Sequence, residues 1–110
     1  MGSTVGSRVV TGGLTATNAD IEVRTVGFCP SLVKVENMDN QVMIEWKEPL
    51  AAGRNIKTDA AGARTVVASG GIEMLAPDSD GNRGFKIPGA LADINDTTTE
   101  ELIWTASESW

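Results

Sequence analysis

Residues 20 to 46, DIEVRTVGFCPSLVKVENMDNQVMIEW, decide the fold class. Three short runs rich in Val, Ile and Trp, at Ile21 to Val26, Leu32 to Glu36 and Val42 to Trp46, alternate with two breaks. The breaks are the corner Gly27-Phe28-Cys29-Pro30 and the turn Asn37-Met38-Asp39-Asn40, so the stretch reads strand, turn, strand, turn, strand. Ile21, Val23 and Thr25 share one face and Glu22 and Arg24 the other, as side chains alternate along a half-buried strand. Val42, Ile44 and Trp46 repeat the pattern against Met43, Glu45 and Lys47. In the corner, Pro30 fixes its own φ and biases Cys29 to extended backbone, while Gly27 permits the bend and Phe28 is expected to plug it. Val33 and Val35 are then expected to face the core.

Working outward, Lys47-Glu48-Pro49 ends the third run, because Pro cannot donate to a ladder. Residues 49 to 64 are rich in Ala and Gly and read as a long loop with one short strand near Asn55 to Thr58. Thr65 to Ala68 and Gly71 to Leu75 flank Ser69-Gly70 and give two further short strands or one bulged strand, Gly70-Gly71 supplying the positive φ of the corner. Asp78-Ser79-Asp80-Gly81-Asn82 closes a hairpin, followed by a strand in which Phe85 and Ile87 share a face. Leu102 to Ala106 forms the last strand, since Ile, Trp and Thr in succession favour extended backbone. About seven to eight short strands at this spacing predict an all-β protein, an antiparallel β-sandwich with an extended N-terminal arm. The arm is expected at residues 1 to 19, flexible or docking, and the sandwich at residues 20 to 110.

One domain is the expectation for 110 residues. A net charge of -6 without any basic cluster leaves no footprint for phosphate backbones or anionic lipid, so neither nucleic acid nor membrane is an expected partner. No run approaches the roughly 20 apolar residues of a membrane span, and the first residues lack a signal-peptide core. Synthesis in the cytoplasm without secretion is therefore expected. Met1-Gly2-Ser3 resembles a myristoylation start, but Gly6 stands where that pattern needs Ser or Thr.

The sequence contains no histidine, which removes the usual general base, the Ser-His and Cys-His nucleophile pairs and the commonest zinc ligand. The single Cys29 cannot form an intrachain disulfide, so it is a small buried hydrophobe or half of an intermolecular bridge, and the first is expected. Asp78, Asp80 and Asn82 mimic the start of a calcium loop, but Gly81 falls at its fourth position rather than its sixth and Gly89 replaces the closing Glu. A hairpin tip explains them better, and Asp93, Asn95 and Asp96 form a similar polar loop. Paired glycines lack the Lys of a phosphate loop. No catalytic residues, no cofactor and no metal are expected. A carboxylate hydrolase would need two acids facing each other about 5 to 10 Å apart across a cleft. Trp46 and Trp104 are expected in the core, whereas Trp110 follows Ser107-Glu108-Ser109 with no strand to pack it and either dangles or docks on a neighbour. Arg8, Val9 and Val10 are the matching candidates in the arm, able to add a strand to a neighbouring subunit's sheet edge.

The corner Gly27-Phe28-Cys29-Pro30 with its Val-rich strand ending in Asn37, then Glu45-Trp46, Gly70-Gly71-Ile72, Gly84-Phe85-Lys86-Ile87 and Ile103-Trp104-Thr105-Ala106, resembles the small β-sandwich virion-surface proteins of tailed bacteriophages. These are head decoration (cement) or fibre-associated proteins. The resemblance covers roughly residues 14 to 107, with Cys29 where a polar or basic residue is more usual and residues 49 to 64 unmatched. It implies a non-enzymatic virion structural protein that binds the outside of the head, with the major capsid protein and copies of itself, as a trimer or another symmetric cluster, for partners. The alternative it implies is a tail or fibre module that recognises the host surface through loops 49 to 64 and 76 to 83. Those loops hold no aromatic residue, which favours the head.

Overall fold

The computed structural model describes residues 8 to 108. Nine strands and no helix occur among them: β1 (Val9–Thr15), β2 (Ile21–Val23), β3 (Leu32–Asn37), β4 (Val42–Lys47), β5 (Asn55–Thr58), β6 (Arg64–Val67), β7 (Glu73–Leu75), β8 (Gly84–Ile87) and β9 (Glu101–Ser107). A six-stranded sheet runs β1-β9-β3-β4-β5-β6 and a three-stranded sheet β2-β8-β7. Every pairing is antiparallel, so the chain is the expected two-layer β protein.

The expected alternation places the core. Val33, Val35, Ile44, Phe85, Ile87 and Leu102 are fully buried between the layers, with Trp46 and Trp104 almost so. Phe85 meets Trp104 edge to face, ring centroids 5.4 Å apart, a geometry that the ring quadrupoles favour.

The three opening runs do not form one meander. β3 and β4 pair as a hairpin in the large sheet, whereas β2 stops at Val23 and belongs to the small one. The Gly27 corner therefore carries the chain from one sheet to the other, with Gly27 at φ 85° and Phe28 buried beneath it. Successive side chains of the corner point alternately in and out. Phe28 and Pro30 take the buried positions, which leaves Cys29 exposed rather than buried as expected.

The short strand expected within residues 49 to 64 is β5, which joins β4 to the edge strand β6. One further expectation changes. Within the expected arm, residues 9 to 15 form β1, paired along its whole length with β9 of the same chain. This strand was hidden by Gly12-Gly13, since glycine weakens a strand when read alone. Trp104 supplies the reason for Gly12: a Cβ there would lie 2.7 Å from the indole ring, which fills the space that a side chain would take.

Candidate functional site

The groups with possible chemistry are mostly engaged in local structure. At the β7–β8 tip, Asp78 Oδ1 accepts the N–H of Asp80 and of Asn82, each at 2.9 Å, and its own N–H bonds the Asn82 carbonyl at 3.1 Å. The Asn82 N–H, above the other contacts, holds the Asp78 carboxyl below its ordinary range. The tip is a self-closed turn. Asn95, read as part of a second polar loop, is fully buried and acts as a clamp. Its Oδ1 accepts from Thr17 N and Asn18 N, and its Nδ2 donates to the Ala19 and Pro88 carbonyls. Asp93 pairs with Lys57 at 3.1 Å. Among the described residues no three Cys, Asp or Glu side chains gather as a metal would require. A depression of about 490 Å³ is open and lined by Ser31, Leu32, Glu45, Lys47, Glu48 and Glu108 among others.

The sequence candidates Arg8, Val9 and Val10 lie together at the start of β1, with different roles. The Arg8 guanidinium forks onto Glu108, Nε to Oε1 at 3.1 Å and Nη2 to Oε2 at 2.7 Å, and lies 4.7 Å from the Phe28 ring centroid. The Arg8 hydrogen bond holds the Glu108 carboxyl low and the Glu108 contact raises Arg8 in turn. Arg8 thus ties the strand start to β9 and the corner. Val10 packs against the core, whereas Val9 is 67% exposed. Trp110 lies outside the described residues.

β1 itself is the feature with a free side. It ends the six-stranded sheet, and among the described residues no strand lies beyond it. Its exposure alternates strictly, with Val9, Thr11, Gly13 and Thr15 exposed and Val10, Gly12 and Leu14 half-buried. A groove of about 340 Å³ runs beside it. It is lined by residues 10 to 14 of β1, by residues 22 to 25 and by Trp104. Glu22 and Arg24 pair at 3.2 Å, and Arg24 also donates to the Ala76 and Asn82 carbonyls. No family model, no curated protein and no solved structure matches this chain.

Sequence reasoning found the first two residues of this edge and missed Thr11 to Thr15 and the Glu22–Arg24 rim. The available signal was Val10 and Leu14 at an even spacing, with Thr11 and Thr15 between and beyond them. The rim carried no signal, because only the fold brings β2 beside β1.

Proposed function

We propose that the protein is a non-enzymatic virion structural protein that decorates the outer surface of a tailed bacteriophage head, bound to the major capsid protein and to copies of itself. The observation that carries the assembly part of this reading is the open β1 edge, a seven-residue strand without charge or proline. Such an edge is a template for adding another strand. The phage part has its support in the sequence resemblance, whose corner, β8 and β9 motifs occupy the sheet change and two paired strands. Binding residues concentrate on loops, and the loops at residues 49 to 64 and 76 to 83 hold no aromatic residue, which favours the head over a tail or fibre role.

The mechanism is linkage. A folded plug that spans neighbouring capsomers stabilises the assembled shell because only that shell presents the composite site. The contribution repeats at every copy. The test is to mix purified protein with empty heads, sediment them, and measure particle melting. Co-sedimentation and a raised particle Tm are expected. Neither binding nor a shift would overturn the reading, and attachment to host cells instead would replace it with the tail or fibre role.

A further inference from the structure

We propose that β1 pairs with β1 of a second copy, antiparallel and about a two-fold axis at Gly12, so that two six-stranded sheets become one continuous sheet. This rests on the self-association part of the function proposed above and is independent of head binding.

The backbone fixes which groups are available. Bonded and non-bonded pairs alternate along an antiparallel ladder. The β1–β9 ladder is flanked by bonded pairs at both ends, Glu108 N to Arg8 O at 2.9 Å and Ala16 N to Glu100 O at 2.8 Å. With the observed register, Val10, Gly12 and Leu14 direct their N–H and C=O groups to β9. Val9, Thr11, Gly13 and Thr15 therefore aim theirs outwards, where the described chain supplies no strand. The opposite edge differs. β6 has four residues and starts with Arg64, and its alternation, set by the Asp59–Ala63 bond, aims outwards only Arg64 and Val66. A short, charged edge is the usual guard against pairing. β1 has no such guard.

The side chains select the second copy and the register. Centring the axis on Gly12 sets Val9 against the partner's Thr15, Val10 against the partner's Leu14, and Thr11 against the partner's Gly13. This is the register that engages all seven residues, with bonded pairs at the four outward-facing ones. On the inner face, Val10 and Leu14 cover their counterparts over the groove. Two glycines meet at the axis, above the Trp104 rings that already occupy their side-chain space. On the outer face the exposed Val9 gains a β-branched neighbour. The strand carries no charge, so no like charges oppose, and each groove rim brings one Glu22–Arg24 pair with both signs present. The contact is isologous and closes on itself.

Sedimentation of the full chain without heads tests the pairing separately from head binding. A dimer is expected for the parent and a monomer of unchanged Tm for V9K/G13K. Both lysines would stand on the outer face, where Val9 is exposed and a Cβ at Gly13 meets nothing closer than 3.9 Å. A second variant, C29S/V10C/L14C, is expected to oxidise to a dimer bridged from position 10 of one copy to position 14 of the other. Those positions form a non-bonded pair, whose close Cα atoms suit a disulfide. A parent that stays monomeric at millimolar concentration, a dimer that survives the lysines, or bridges at any other pairing would each overturn the proposal.

Discussion

Asn37, Asn55 and Asn95 are the fully buried polar residues among those described; Asn37 closes the β3–β4 turn by accepting from Asp39 N and Asn40 N, and the other two carboxamides hold loop backbone that has no strand partner. Asn55 accepts the Ile72 N–H at 2.6 Å and donates to the Ile72 carbonyl at 3.3 Å, closing loop 68 to 72 onto β5. Asn95 does the same for four backbone groups of the β1–β2 and β8–β9 links. Leaving buried partners unmet costs about 1–3 kcal/mol each, without simple addition, so Asn95→Ala is expected to lose about 3 kcal/mol. The urea midpoint should fall at unchanged slope, and a loss below about 1 kcal/mol would show that water replaces the side chain. The acid side belongs to two carboxyls. Glu108 is held below its ordinary 4.5 by the Arg8 hydrogen bond and Asp78 below 3.8 by the Asn82 N–H. A group whose pKa folding lowers stabilises above its unfolded value, and the gain disappears as pH falls through the folded one. Tm is therefore expected to hold from neutral pH down to the carboxylate range and then decline. The Tm gap between wild type and Glu108→Gln should close at low pH and narrow in high salt. A gap that persists unchanged at acid pH would exclude the ion pair as its cause.

The sheet-changing corner shows how one element depends on a single plug. Phe28 is buried under Gly27 and also carries the Arg8 guanidinium on its ring. Phe28→Ala is expected to cost about 3–5 kcal/mol, the range for emptying a buried aromatic site. Chemical denaturation monitored by far-UV circular dichroism measures this, and a cost under about 1 kcal/mol would mean that the corner is held by Pro30 alone. The corner was legible because Gly27 permits a positive φ and Pro30 fixes its own, with a large apolar residue between them. β1 was not, because Gly12 and Gly13 suit a strand only when Trp104 and β9 are already in place. β2 and β3 lie between these cases. Their strand character was evident from alternation, but no local property states that they enter different sheets.

Across the whole molecule, the pairings join distant parts of the chain. β1, at the start of the described chain, pairs with β9 at its end, β9 also pairs with β3, and β2 pairs with β8. Closing such loops before their contacts form is slow, so refolding is expected in milliseconds to seconds rather than microseconds. Stopped-flow tryptophan fluorescence should report it through Trp46 and Trp104, which are buried in the same core. Complete recovery within the mixing dead time would show that local hairpins carry most of the stability. The three-stranded sheet covers one face of a six-stranded partner, and the closing strand β9 lies inside that sheet, between β1 and β3, while β1 stands at the rim. The layer arrangement thus leaves the uncharged edge outermost, where assembly contacts can form.

The sequence by itself determined the all-β class, the antiparallel hairpins, the inward valines and tryptophans and the break at the Gly27 corner, because period-two alternation and turn residues act over a few neighbours. Only the tertiary structure decided that the Gly12 strand exists, that Cys29 faces outwards, that Asn95 is a core clamp and that β1 ends a sheet. Each of these depends on atoms contributed from tens of residues away, and a side chain's partner across the core leaves no mark on its neighbours in the chain.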